Sequence, residues 1–140
     1  MWIEDLTPCS LFPTDAKTVA VGWLERGRPY AAGPVDRRVY DALVELRRNP
    51  WQPFVPAGTH ACTLCRFEGE QGAACLFIPA EVVVYVCPEL IVHDVNAHGY
   101  APPEPFCRAV LACPPMRSMP YFKAIRASGG AALLRGIVRA

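Results

Sequence analysis

With 140 residues, 52% of them apolar and 19% charged, the chain has enough material to bury a real core and too little polarity to be disordered. No apolar run approaches the ~20 residues of a membrane span, and Glu4 and Asp5 stand where a secretory leader needs basic residues. A formal net charge of +1 supplies no field that draws in polyanions. These features predict a cytoplasmic protein with no membrane attachment, formed of a single domain over residues 1–140.

Prolines and glycines mark the segment boundaries. After an irregular N-terminus, residues 18–24 (TVAVGWL) read as a short buried strand, ended by the Arg-Gly-Arg-Pro turn. Residues 36–48 form an amphipathic helix. Val39, Leu43 and Leu46 make its apolar stripe, Asp36 caps its start and Asn49-Pro50 ends it. A proline-rich connection over 51–58 and a polar segment over 66–72 frame the sequence Thr-His-Ala-Cys-Thr-Leu-Cys.

Residues 73–79 and 81–86, rich in Val, Ile and Phe, predict two β-strands. A helix follows over 88–98, with Pro88 in its first turn and Gly99 as its stop. Further helices are expected over 104–113 and 118–126, before Ser-Gly-Gly and an apolar tail. The fold class is α+β. It combines a zinc knuckle, a β-hairpin and a helix in the order of a treble-clef or ββα site, packed against additional helices.

There are seven cysteines, and the odd count argues against a complete disulfide framework. Cys62 and Cys65 stand out, because a two-residue gap lets one tight turn offer both thiolates to a tetrahedral ion. His93 and His98 supply two imidazoles with zinc-finger spacing. Roughly 27 residues separate the two pairs, against about a dozen in the minimal finger; a hairpin fills that gap at little cost in closure entropy. Residues five apart on an ideal helix point about 140° from each other. Both rings therefore reach one ion only where the helix tightens or ends.

The metal ligands expected are Cys62, Cys65, His93 and His98, with zinc as the ion. A redox role for the Cys-x-x-Cys pair would need a helix start after a strand, and the flanking residues do not provide one. His60, two residues before Cys62, could replace a helix histidine as ligand or donate a hydrogen bond to a ligand, and it is placed outside the ligand set. Four ligands leave no position for an activated water. Glu68, Glu70 and Asp94 lack motif spacing to the ligands, and Asp94 is expected to face away from His93. No catalytic residue is expected, and the zinc is read as structural.

Cys75, Cys87 and Cys107 read as core, while Cys9 and Cys113, each beside a proline, read as loop thiols. Trp2, Trp23 and Trp51 read as core or lid aromatics, since no basic residues interleave with them. Arg108, Arg117, Lys123, Arg126, Arg135 and Arg139 make a mild basic patch, read as solvated helix face.

The chain resembles a family of small, uncharacterised bacterial proteins over most of its length, up to about residue 113. The resemblance rests on Asp5-Leu6-Thr7-Pro8, on Val21-Gly22-Trp23-Leu24 and on Gly-x-His-x-Cys-x-x-Cys at 58–65. It continues with Pro-x-Leu-Ile-x-His and His-Gly-Tyr-x-Pro-Pro-x-x-Phe within 88–106. Asp94 stands where that pattern has an aromatic residue, and His60 belongs to the motif. The resemblance implies no activity. The function expected is a zinc-stabilised binding or regulatory module for a protein partner, with nucleic-acid binding and zinc-dependent hydrolysis as the alternatives.

Overall fold

The computed structural model describes residues 1–54 and 58–135; residues 55–57 of the proline-rich connection and 136–140 of the apolar tail lie outside the described residues. It is a mixed α+β fold. Three strands form the main sheet: β1 (Thr18–Ala20), β4 (Cys75–Pro79) and β5 (Val84–Pro88), in the order β1-β5-β4. The hairpin β4–β5 is antiparallel, and β1 lies parallel to β5 on its other side. A second, two-stranded sheet pairs β2 (His60–Ala61) antiparallel with β3 (Gln71–Gly72).

The hairpin is apolar at nearly every position because both faces of the sheet are covered. Leu76, Ile78, Tyr85 and Cys87 pack on one face, beneath α1 (Arg37–Arg47), α2 (Ile91–His98) and α3 (Glu104–Ala112). Phe77, Val84 and Val86 pack on the other, beneath α4 (Met119–Ile125) and the N-terminal segment. Val39, Leu43 and Leu46 of α1 are buried as the 3.6-residue pattern requires, and the Asp36 carboxylate accepts the Arg38 N–H at 2.8 Å. Trp23 is buried and donates from Nε1 to the Val86 carbonyl, 2.9 Å away. Beyond α4 the chain continues through a widened turn and a short 3₁₀ segment, Ala131–Arg135.

Four expectations change. The first strand stops at Ala20, because the Gly22 N–H is taken by the Asp5 carboxylate at 2.9 Å. Pro88 closes β5 opposite Cys75, and the helix begins three residues later at Ile91. The polar segment after Cys65 contains β3, which the absence of alternating apolar residues hid. Cys9 is no loop thiol: it is buried, its N–H bonds to the Thr18 carbonyl at 3.0 Å, and Thr18 donates back from Oγ1 at 3.0 Å.

Among the described residues no helix is long and apolar enough to cross a membrane.

Candidate metal centre

Cys62 and Cys65 lie in the loop that joins β2 to β3. The ladder of His60 with Gly72 and Ala61 with Gln71 is extended by a bond from the Cys62 N–H to the Glu70 carbonyl, 2.7 Å. The chain then turns, with the backbone N–H groups of Leu64 and Cys65 pulling the Cys62 pKa down. Such donors favour the thiolate over the thiol. Gly69 makes the turn possible: a Cβ there would lie 2.2 Å from the Cys62 carbonyl oxygen. Arg26 ties the loop to the turn after Leu24, its N–H reaching Thr63 Oγ1 at 2.9 Å and its guanidinium donating to the Cys65 carbonyl.

His93 and His98 come from α2, which packs against the sheet through Ile91 and Val92. The helix neither tightens nor ends between them. Instead its last turn widens. The Gly99 N–H reaches back five residues to the Asp94 carbonyl, one more than a regular turn, and Gly99 takes the left-handed conformation (φ 65°). A turn that closes over five residues carries His98 round to the side of His93, and the two ring centroids stand 5.0 Å apart. The end is fixed from outside by Tyr30, whose hydroxyl donates to the His98 carbonyl at 2.9 Å. Tyr100 adds a second tie, donating to the Asp5 carboxylate at 2.6 Å.

These two elements bring Cys62, Cys65, His93 and His98 together, with one ligand atom from each inside a 4.8 Å circle of mutual distances. Cys65 Sγ is 3.2 Å from His93 Nε2 and 3.4 Å from His98 Nε2, and Cys62 Sγ is 3.5 Å from His98 Nε2. Metal–sulfur bonds of about 2.3 Å and metal–nitrogen bonds of about 2.0–2.1 Å set tetrahedral S···N edges of about 3.6 Å. The observed separations are close to those edges. The four residues are positioned to bind one metal ion, and two soft thiolates with two imidazoles are a donor set for a tetrahedral transition-metal ion. His60 is exposed and lies outside the group.

Asp94 overturns an expectation. It does not face away: its Oδ1 accepts from the Cys62 thiol at 3.2 Å, and the residue is 4% exposed. Cys62 comes to this part of α2 from 32 residues earlier in the chain, a contact that helix geometry alone does not reveal. Burial first, with Asp94 adding, pushes the Cys62 thiol up to about 12 in the metal-free protein, against the pull of the two N–H groups. Burial likewise holds the Asp94 carboxyl above its ordinary range, opposed by the Cys62 hydrogen bond and the two histidines. A bound cation reverses this balance for the thiol, because it binds the thiolate alone. Beside Cys62 and Asp94 lies a chamber of about 40 Å³, also lined by Leu64 and Leu90, room for a water molecule or two.

The remaining thiols are set apart from this chemistry. Burial pushes Cys75 and Cys113 up to about 12 and Cys87 well above its usual value, so they behave as inert packing groups. No curated protein and no solved structure matches the chain. Residues 1–111, which hold all four donors, match one family model, and the chain belongs to that family, described as Domain of unknown function (DUF7919).

Proposed function

We propose that the protein is a zinc-stabilised binding or regulatory module, a single domain in which the ion fastens the β2–β3 knuckle to the end of α2. The observation that carries this reading is the set of S···N separations, 3.2, 3.4 and 3.5 Å, close to the edges of a zinc tetrahedron. The two strands of the knuckle are only two residues each, too little for independent stability. Zinc is the cross-link that compensates, as in small domains that fold only with metal. The knuckle then holds Phe67, 89% exposed, in a fixed position two residues beyond Cys65. An exposed aromatic on a rigid loop is the kind of anchor that protein partners bury.

Metal analysis of the purified protein tests the ion. About one zinc per chain is expected, and chelation, Cys62→Ser or His98→Ala should each lower the melting temperature and release it. A metal-free protein with unchanged melting temperature contradicts the reading. For the surface, a partner retained by the wild-type chain and lost with Phe67→Ala is the expected result. Equal retention by both removes Phe67 from the interface.

Hydrolysis is a second reading, favoured by one observation: the buried Asp94 and the small chamber both abut Cys62. It needs a coordination position open to water. Four protein donors and no water in the metal's spectrum would exclude it.

A further inference from the structure

Behind the knuckle, between β2 and the N-terminal segment, lies a cleft that the metal chemistry does not use. The geometry points to this cleft as a binding site for one six-membered aromatic ring that carries a single hydrogen-bonding substituent, such as a phenol. It offers about 130 Å³. A cavity of about 150 Å³ lined by apolar side chains accepts benzene and stays dry without it, so the size suits one ring and little more.

The walls fit that guest. Phe12 and Phe54 stack at 4.7 Å with their planes 5° apart, and Phe77 meets Phe12 at 5.7 Å. Trp23 forms a further side. Gln52 lines the cleft but is committed elsewhere, bonded through both ends of its amide to the backbone of Cys75. His60 is different. It lies on the cleft wall, is exposed, and its ring makes no hydrogen bond among the described residues. The site thus offers an apolar ring slot with one polar group at its edge, the usual plan of a small-molecule pocket.

The cleft is open to solvent on the side of the exposed His60. A guest ring would displace water from this aromatic-walled space and bury apolar surface. Its wall and the metal knuckle are one element, since His60 stands two residues before Cys62 on β2. The inference goes beyond the metal reading and does not depend on which ion is bound.

The test is titration of the full chain, as purified, with phenol and with benzene, followed by tryptophan fluorescence and by intermolecular NOEs from the bound ring. Both probes should bind, with NOEs to the rings of Phe12, Trp23 and Phe77. Phenol should bind about three- to tenfold more tightly, the worth of one hydrogen bond. His60→Ala should abolish that difference and leave benzene binding unchanged. Ala73→Leu, which narrows the cleft, should weaken both probes by more than about tenfold. No saturable binding up to the aqueous solubility of benzene, or NOEs to rings elsewhere, overturns the proposal. So does a phenol preference that survives His60→Ala. The zinc content of the same samples, measured separately, shows whether the metal reading stands or falls on its own.

Discussion

The carboxylate of Asp94 stands 3.2 Å from the sulfur of Cys62, a residue 32 positions earlier in the chain. This contact joins the knuckle to α2 before any ion is bound. It also sets the proton competition at the site, since a thiol with a raised pKa yields its proton to a metal less readily. Asp94→Asn removes the negative charge that helps to raise Cys62. The pH at which acid releases the metal should therefore fall, by about half a unit. A titration followed by a zinc indicator measures this, and an upward shift would mean that the carboxylate stabilises the ion more than it burdens the thiol.

Gly69 should tolerate no side chain. A Cβ placed 2.2 Å from the Cys62 carbonyl oxygen forces the knuckle open, because the obstacle is backbone that cannot step aside. Gly69→Ala should weaken metal binding by about tenfold or more, the scale on which misplaced ligand geometry is felt. Competition with a chelator of known affinity measures it. Unchanged affinity would show that the loop closes in another way.

Tyr30→Phe removes the hydroxyl that holds the His98 carbonyl at 2.9 Å. The loss should be about 1 kcal/mol of stability, the usual net worth of one hydrogen bond, measured by denaturant titration of the metal-loaded protein. The metal should remain bound, since the widened turn at Gly99 still directs His98.

Alkaline pH should destabilise the protein. Burial holds the Tyr121 phenol, which donates to the Phe77 carbonyl at 2.6 Å, far above its ordinary value. The buried Cys87 thiol is raised as well. A group with a folded pKa above its unfolded one contributes fully below the unfolded pKa, and that contribution is lost as pH rises. Stability should thus hold to about pH 9 and then fall, each such group adding a slope of about 1.4 kcal/mol per pH unit. Tyr121→Phe should flatten the fall above about pH 10. A stability that is level from pH 8 to 11, by urea denaturation, would contradict these buried states.

Much of this architecture was legible because the local signals agreed with the tertiary result. The stripe Val39, Leu43, Leu46 with its Asp36 cap marked α1 within a residue or two at each end, and the apolar runs marked the two strands β4 and β5. The four donors were legible because their types and spacings carry coordination chemistry. What stayed hidden depended on contacts across the chain. Asp94 was misread because a helical wheel fixes its angle from His93 and says nothing of the side from which Cys62 arrives. The strand β3 was missed because a two-residue ladder beside a metal loop needs no apolar alternation. Cys9 looked like a loop thiol because its burial comes from pairing with Thr18.

X-ray absorption at the zinc edge tests the central claim most directly. Two sulfur scatterers at about 2.3 Å and two nitrogen scatterers at about 2.0–2.1 Å are predicted, with one sulfur lost in Cys62→Ser and one imidazole lost in His98→Ala. A first shell of oxygen and nitrogen alone, or a wild-type protein that holds no metal when purified in its presence, would contradict it.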